Sequence, residues 1–163
     1  LKGIKLHPDF QRFQIDTPEM DPIYEALEGA GLPILVHAGD CRYDYSGPRR
    51  IARVLDRHPG LKVVAAHFGG YTEWDEAFEL LAGRDLWFDT SSTTWKLPVD
   101  AARRMIDKHG TERFLFGSDF PMWDHRDELG RFMKLGLSEA QNRAILAENA
   151  IALLASIPGG DNA

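Results

Sequence analysis

Five apolar runs, each ending on a polar side chain, recur at a nearly constant interval along the chain. The polar residues follow one another at intervals of 30, 30, 22 and 30, and they are His7, His37, His67, Asp89 and Asp119. Each interval has room for one strand, one helix and two loops. That repeat is typical of parallel βαβ units, in which every strand is followed by a helix that crosses back over the sheet.

The apolar runs predict five strands, and the segments between them carry helical patterns. The strands are predicted at 3–7, 33–37, 62–67, 86–89 and 114–119. The helices are predicted at 20–29, 48–57, 72–82, 98–108, 125–135, 138–147 and 149–155. Ser138, followed three residues later by Gln141, forms the capping-box pattern of a helix start and supports the beginning of the helix at 138–147.

The period of the repeat favours an α/β fold of the TIM type, the (β/α)₈ barrel, which takes about 250 residues. The chain has 163 residues and contains five such units, so we expect the rest of the barrel to be missing or to be supplied otherwise. It begins at Leu1 almost directly on a predicted strand, as expected of a piece of a longer domain. An open doubly wound sheet is the competing architecture, although no glycine-rich dinucleotide motif follows the first strand.

Charge and composition argue against several classes of partner. Lys and Arg number 19 against 25 Asp and Glu, and this net charge of −6 argues against nucleic acid as a partner. The longest apolar stretches are too short to cross a bilayer, so we expect no membrane association. The single cysteine, Cys41, cannot form an internal disulfide, which favours a reducing compartment such as the cytoplasm.

Three of the strand-end residues, with side chains of types that bind metal ions, are expected to point inward together. Because successive side chains of a strand face opposite sides, Val36 is expected on the helix-covered face and His37 on the inner face. The same reasoning places Ala65 and His67 together on the inner face, with Asp119 beside them at the C-terminal rim, where barrels hold their chemistry. Two imidazoles and a carboxylate suit Zn²⁺, Fe²⁺ or Mn²⁺ better than Mg²⁺ or Ca²⁺.

Short motifs accompany four of the predicted strands, and they are Ile4–Pro8, Leu35–Gly39, Ala66–Gly70 and Phe116–Pro121. Together with the tail Glu148–Leu154, they resemble the metal-dependent amidohydrolase superfamily, and within it the amidohydrolase-related group that includes aminocarboxymuconate-semialdehyde decarboxylase and resorcylate decarboxylases. The resemblance runs over nearly the whole chain in the right order. It implies that residues 1–163 are the C-terminal part of one metal-dependent hydrolase barrel and hold its strands four to eight.

The resemblance also implies a divalent metal cofactor, with Zn²⁺ as the first choice and Fe²⁺ or Mn²⁺ as alternatives. Carried over, His37 and Asp119 would be metal ligands. His67 would be the catalytic histidine that polarises the substrate or the attacking water, and Asp119 would also accept and deliver a proton. The group's His-x-His pair on the first barrel strand has no counterpart among the 163 residues.

Four further residues near these strand ends are candidates for supporting roles. His7 and Trp123 are candidates for contact with the substrate, and Arg42 is a candidate for holding a substrate carboxylate. Asp89 is a candidate for orienting the catalytic histidine by a hydrogen bond. Each has an ordinary structural alternative. These are a hydrogen bond at the rim for His7, packing for Trp123, a solvated loop side chain for Arg42 and a loop cap for Asp89.

The resemblance and these residues together imply a metal-dependent hydrolase that breaks a C–N or C–O bond of a small-molecule substrate with activated water. Decarboxylation of a small cyclic or aromatic acid on the same site is the alternative. A catalytically silent fragment that lacks the His-x-His pair, and an open α/β domain that binds a small anion without metal, are further readings. Because five unclosed parallel strands leave two unpaired edges, we also expect a homo-oligomer or association through those edges.

Overall fold

All five predicted strands form, and they pair in parallel in the order in which they follow one another in the chain. The computed structural model describes residues 1–158; residues 159–163, the end of the predicted domain, lie outside the described residues. Each strand lies within its predicted run, and the strands are β1 (Ile4–Leu6), β2 (Ile34–Val36), β3 (Val63–Ala65), β4 (Trp87–Asp89) and β5 (Phe114–Leu115).

Helices follow the strands and include all those that the sequence predicts. They are α1 (Pro8–Gln11), α2 (Asp21–Ala30), α3 (Pro48–Arg57), α4 (Trp74–Leu80), α5 (Val99–His109), α6 (His125–Met133), α7 (Glu139–Arg143) and α8 (Asn149–Ala155). A π-helical turn, Ala144–Glu148, joins α7 to α8. The capping box is confirmed, since Ser138 Oγ accepts the N–H of Gln141. None of the helices in residues 1–158 has the length and apolar character that crossing a bilayer demands.

The helices cover one face of the sheet, and the strand register shows which side chains lie beneath them. Ile34 pairs with Val63, and Val36 pairs with Ala65, and all four side chains belong to the buried core. Residues in register on parallel neighbours share a face, so Val63 and Ala65 face the helices together with Ile34 and Val36. The prediction that Ala65 shares the inner face with His67 is therefore wrong.

The opposite face of the sheet is open in this chain. Lys5, Leu35 and Val64 are in register across the first three strands and line a shallow cavity of about 270 Å³ on that face. Among the described residues, β1 and β5 each pair with one strand only. The sheet therefore has two free edges and an inner face that no other element of residues 1–158 closes into a barrel.

A buried histidine supports the sheet at the end opposite to the strand-end residues. His109, the last residue of α5, accepts the N–H of Gly83 at Nδ1, 3.0 Å away. Its Nε2 lies 3.1 Å from the main-chain oxygen of Leu86. A carbonyl oxygen only accepts, so Nε2 donates and the two bonds together require the neutral ring. Burial lowers the pKa of His109 to about 4.

This histidine should make the fold less stable in mild acid. In the unfolded chain the pKa of His109 returns to about 6.5. Because the folded state has the lower pKa, stability is lost as the pH falls below that value. Between about pH 7.5 and pH 5 the loss amounts to about 2 kcal/mol. We expect His109→Gln, whose amide can make both hydrogen bonds, to reduce the pH dependence of the free energy of unfolding by that amount.

Urea unfolding at the two pH values measures the difference. His125→Gln, a substitution of an exposed histidine at the start of α6, is the control and should leave the pH dependence of the wild type unchanged. An identical pH dependence in the wild type and in His109→Gln would contradict the structural account of this residue.

Candidate metal centre

Three histidines that follow β1, β2 and β3 lie side by side at the C-terminal end of the sheet. The rings of His7 and His37 are stacked, with 4.0 Å between their centroids. The ring of His67 meets that of His37 edge-on at 4.7 Å, and Nε2 of His67 lies 2.9 Å from Nδ1 of His37. The rim thus brings together the first three of the strand-end residues that the spacing pattern identifies.

His67 reaches this rim because the backbone turns sharply after β3. His67 and Phe68 have φ angles of 60° and 54°, in the left-handed region that residues with a Cβ rarely adopt. Strict alternation after Ala65 would direct His67 toward the helices, and the turn reverses that direction. Asp89 Oδ1 stabilises the turn by accepting the main-chain N–H of His67 at 2.9 Å.

Hydrogen bonds fix the positions of the protons on two of the rings. Nδ1 of His67 lies 2.9 Å from the main-chain oxygen of Ser91 and 3.1 Å from its Oγ. Ser91 Oγ donates its own hydrogen to Asp89 Oδ1 at 2.6 Å, so both Ser91 oxygens are acceptors and Nδ1 of His67 carries a proton. With its proton on Nδ1, the ring of His67 accepts at Nε2, and Nδ1 of His37 donates to it. Nε2 of His37 is consequently left with a lone pair and no proton.

The unprotonated nitrogen of His37 faces a carboxylate that α1 supplies. Oδ2 of Asp9 lies 3.1 Å from Nε2 of His37, and the side chain of Asp9 is 2% exposed. Nδ1 of His7, both carboxylate oxygens of Asp9 and Nε2 of His37 are buried, and none has a hydrogen-bond partner within residues 1–158. One ligand atom from each of the three residues lies within 4.8 Å of the other two. Two imidazole nitrogens and a carboxylate oxygen form a donor set that suits Zn²⁺, Fe²⁺ or Mn²⁺.

Burial dominates the electrostatics of this group. It is the main reason why the pKa of Asp9 is raised to about 6, and the carboxylates of Asp40 and Glu73 add to the shift. Burial also lowers the pKa of His37 to about 3, with a further contribution from the neighbouring histidines. Each shift favours the uncharged form of its side chain, as expected of ionisable groups withdrawn from water.

Asp119 lies at the same rim but outside the group formed by His7, Asp9 and His37. It follows β5 with a φ of 59°, and it is exposed. Its Oδ2 accepts a hydrogen bond from Ser92 Oγ at 2.8 Å. Asp119 thus lies at the solvent-exposed edge of the rim. Its metal-binding and proton-transfer roles stay predictions.

The side chains predicted to contact the substrate have partners within the chain. Arg42 donates through Nε to Asp40 Oδ1 at 2.9 Å, although its side chain is 68% exposed. Trp123 is half-buried and stacks on Trp95 with 5.8 Å between the ring centroids. His7 lies in the histidine group described above. Contact of these residues with a substrate stays a prediction.

A cavity of about 490 Å³ opens beside the buried carboxylate, and it is lined by Asp9, Phe10, Arg12, Tyr43 and Tyr45. The rings of Tyr43 and Tyr45 are stacked with 6.3 Å between their centroids. The volume lies within the range of about 300–1,000 Å³ that is typical of small-molecule sites. Aromatic rings and a guanidinium group make the cavity suitable for a small aromatic or acidic molecule.

Asp9 and Ser91 are functional candidates that the strand-end pattern misses. Asp9 lies two residues beyond His7 in α1, a helix of only four residues that shows no helical periodicity. The available signal was the sequence His7-Pro8-Asp9, which places an imidazole and a carboxylate together directly after a strand. Ser91 acts in part through its main-chain oxygen, a contact that residue type alone does not reveal.

Comparison with known proteins identifies the relatives of this chain. The family model described as Amidohydrolase matches residues 1–155. No curated protein matches the chain. A solved structure with a similar fold is 5-carboxyvanillate decarboxylase from Sphingomonas paucimobilis, which is 18% identical with a TM-score of 0.73. The match covers 95% of this chain and 58% of the decarboxylase.

Two further solved structures are similar over most of the chain. An uncharacterized TIM-barrel protein from Bordetella bronchiseptica is 25% identical with a TM-score of 0.71, and the match covers 88% of this chain and 53% of that protein. A dihydroxybenzoic acid decarboxylase from a Polaromonas species, solved with bound manganese and the inhibitor 2-nitroresorcinol, is 16% identical with a TM-score of 0.66. That match covers 87% of this chain and 55% of the decarboxylase. These likenesses confirm the predicted fold class, so the five parallel strands are part of a TIM-type barrel.

A glycine two residues after His37 should be essential for this arrangement. Gly39 has a φ of 77°, and a Cβ at this position would lie 2.6 Å from the main-chain nitrogen of Tyr71 and 2.7 Å from the carbonyl carbon of Gly70. Backbone atoms of the neighbouring loop cannot rotate away as a side chain could. We therefore expect Gly39→Ala to lower the free energy of unfolding by about 2 kcal/mol or more, measured by urea denaturation.

Gly29→Ala is the matched control, because a Cβ there meets nothing within 4 Å and Gly29 lies in α2. That substitution should raise the free energy of unfolding by about 0.5–1 kcal/mol, since alanine favours the helix more than glycine does. A Gly39→Ala variant as stable as the wild type would show that the approach of the two loops is not required.

Proposed function

Because this chain belongs to the amidohydrolase family, we propose that it forms the C-terminal part of a metal-dependent enzyme that breaks a C–N or C–O bond of a small substrate with activated water. The observation that supports this function best is the unprotonated Nε2 of His37, 3.1 Å from the buried carboxylate of Asp9. Two electron-rich atoms this close are held together most naturally by a shared cation. The chain spans 58% of the length of 5-carboxyvanillate decarboxylase, so the proposed activity is that of the whole enzyme.

The residues at the rim fit a divalent metal. Several buried donor atoms there have no hydrogen-bond partner within residues 1–158, and a cation would satisfy them. His37 is the ligand on which the geometry and the family resemblance agree, and Asp119 is a second ligand that the resemblance assigns. We propose Zn²⁺, with Mn²⁺ or Fe²⁺ as alternatives; manganese is bound in the related Polaromonas decarboxylase. A bound divalent ion lowers the pKa of water from about 15.7 toward 7 and so supplies a nucleophile at neutral pH.

The chain's own side chains would position the reactants and move protons. Asp119 has one carboxylate oxygen bonded to Ser92 Oγ, so its other oxygen is available to take a proton from the attacking water and return it to the leaving group. The resemblance assigns to His67 the role of polarising the substrate or the attacking water. Since its Nε2 accepts from His37 in the structure, a direct contact with the substrate requires that this hydrogen bond be exchanged. Ser91 holds the ring of His67 from the opposite side, and Asp89 fixes Ser91 by accepting a hydrogen bond from its Oγ.

The substrate is proposed to occupy the cavity beside Asp9. Tyr43 and Tyr45 supply aromatic surfaces, and Arg12 supplies a positive charge on the cavity wall. His7 and Arg42 lie on the same rim and extend the set of polar groups, while Trp123 is proposed to contact the substrate from the loop after β5. Such a lining favours a small, cyclic or aromatic acid.

Decarboxylation of such an acid is the alternative chemistry on the same site. It is favoured by one specific observation, namely that two of the similar solved structures are decarboxylases of aromatic acids. In that reaction His67 and Asp119 would deliver a proton to carbon instead of activating water. A catalytically silent chain is the second alternative, because the His-x-His pair has no counterpart in the 163 residues.

The partners and the location of the protein are proposed on structural grounds. β1 and β5 each present an unpaired edge among the described residues, and such edges favour association with a second copy of the chain. Cys41 is an exposed free thiol, which favours a reducing compartment, and we propose the cytoplasm.

A substrate screen with metal reconstitution tests the proposed function. The whole enzyme that contains this chain is stripped of metal, supplied with Zn²⁺ or Mn²⁺, and assayed against lactones, cyclic amides and hydroxybenzoic acids. We expect turnover that depends on the metal and disappears below detection in His37→Ala, because the variant loses the ligand on which all assignments agree. Release of CO₂ identifies decarboxylation, and uptake of ¹⁸O from water into the product identifies hydrolysis.

The His125→Gln substitution on α6 serves as the control and should retain full activity. Turnover that does not respond to metal would contradict the proposed mechanism. A whole enzyme that binds metal and turns over none of these compounds would favour the catalytically silent alternative.

A further inference from the structure

We infer that His7 and Asp9, which the family resemblance assigns to no metal, accompany His37 as ligands, so that this chain binds one Zn²⁺ or Mn²⁺ ion without the missing His-x-His pair. The inference rests on the proposed metal dependence and specifies the site. The resemblance assigns the carboxylate ligand to Asp119, after β5, whereas this inference assigns it to Asp9, in α1.

The positions of the ligand atoms support this site directly. One donor atom each from His7, Asp9 and His37 lies within 4.8 Å of the other two, a spacing that allows all three to contact one ion. The side chains come from two adjacent strand ends, because His7 follows β1, His37 follows β2 and Asp9 lies in the single helical turn after His7. The stacked rings of His7 and His37 hold the two imidazoles at the same level of the rim.

The second observation is independent of distance and concerns hydrogen bonding. Both carboxylate oxygens of Asp9 are buried without a hydrogen-bond partner among residues 1–158, and so are His7 Nδ1 and His37 Nε2. Buried polar atoms in folded proteins nearly always have a partner, and several orphaned atoms facing one point indicate a bound ion or water. Both carboxylate oxygens of Asp9 and the lone pair on Nε2 of His37 can only accept, and together with Nδ1 of His7 they fit a cation better than a water molecule, which could donate only twice.

The third observation is the direction of the lone pair on His37. Ser91 holds the proton of His67 on Nδ1, and Nε2 of His67 therefore holds the proton of His37 on Nδ1. Nε2 of His37 thus directs a lone pair toward Asp9, 3.1 Å away. Metal-binding histidines are commonly oriented by such a hydrogen bond on the far ring nitrogen.

The chemistry of the set indicates which ions it takes. Two imidazole nitrogens and one carboxylate oxygen suit Zn²⁺, Mn²⁺ or Fe²⁺, and they are poor ligands for Ca²⁺ or Mg²⁺, which prefer oxygen. Three protein ligands also leave coordination positions open, as in catalytic rather than structural metal sites. A cavity lined in part by Asp9 lies beside the site.

Metal binding by paired carboxylate variants distinguishes the two assignments. The variants are Asp9→Asn and Asp119→Asn, with Asp107→Asn, an exposed residue of α5, as the control. After removal of metal with chelator, Zn²⁺ affinity is measured by competition with a colorimetric chelator and metal content by elemental analysis. We expect Asp9→Asn to weaken Zn²⁺ binding more than about 100-fold, whereas the other two variants stay within about threefold of the wild type.

The change in melting temperature on adding Zn²⁺ provides a second readout. Zn²⁺ should stabilise the wild type and Asp119→Asn, because an ion that binds only the folded state shifts the unfolding equilibrium, and it should not stabilise Asp9→Asn. His7→Gln is a second variant, should Asp9→Asn fail to fold, and it should likewise weaken binding. Circular dichroism of the metal-free variants verifies that each is folded.

The outcomes separate this inference from the proposed function. If Asp119→Asn loses Zn²⁺ while Asp9→Asn and His7→Gln retain it, the inference is wrong and the metal-dependent function stands with the ligands of the resemblance. If the wild type binds neither Zn²⁺ nor Mn²⁺, or if His37→Ala binds as the wild type does, the inference and the metal dependence of this chain both fail.

Discussion

The hydrogen bond between Nε2 of His67 and Nδ1 of His37, 2.9 Å long, joins the ends of two adjacent strands and determines what the rim can bind. Its direction is set from outside, because Ser91 offers only acceptors to the other nitrogen of His67. The proton on Nδ1 of His67 leaves its Nε2 to accept, and this acceptor holds the proton of His37 on Nδ1. The lone pair on Nε2 of His37 is therefore directed at the carboxylate of Asp9. With the proton of His37 on Nε2 instead, the ring would donate a hydrogen bond to Asp9 and no lone pair would face the carboxylate.

The surrounding fold keeps that hydrogen bond in place by unusual backbone geometry. His67 leaves β3 through a left-handed turn, which Asp89 stabilises by accepting its main-chain N–H. Gly39 allows the loop after β2 to approach Tyr71 so closely that a Cβ would collide with the main chain. Strained or glycine-dependent backbone at the ends of regular strands is common at functional sites, where it holds side chains that ordinary geometry would direct elsewhere.

The sequence predicts the fold well because the fold follows from patterns that repeat. The spacing of strand ends, the capping box at Ser138 and the apolar periodicity together give all five strands and the main helices. The site is predicted only in part. The alternation of side chains fails at His67, because the turn after β3 directs this side chain to the inner face. The sequence predicts that inner position, but from a wrong assignment of Ala65 to the same face.

Asp9 is missed for a different physical cause. It lies in one short turn after His7, so no periodic pattern marks it, and its importance comes from burial against a residue of the next strand. Ser91 is missed because its main-chain oxygen contributes to holding the ring of His67. Contacts between segments distant in sequence, and contacts made by main-chain atoms, leave no trace in residue type or spacing.

The order of the protons on the two rings can be measured directly. Long-range ¹H–¹⁵N correlation spectra of the metal-free chain at neutral pH report which nitrogen of each histidine carries the proton, and His37→Gln and His67→Gln variants assign the signals. The structure predicts that each ring carries its proton on Nδ1 and has an unprotonated Nε2. A proton on Nε2 of His37 would contradict the account, because the nitrogen that faces Asp9 would no longer have a free lone pair.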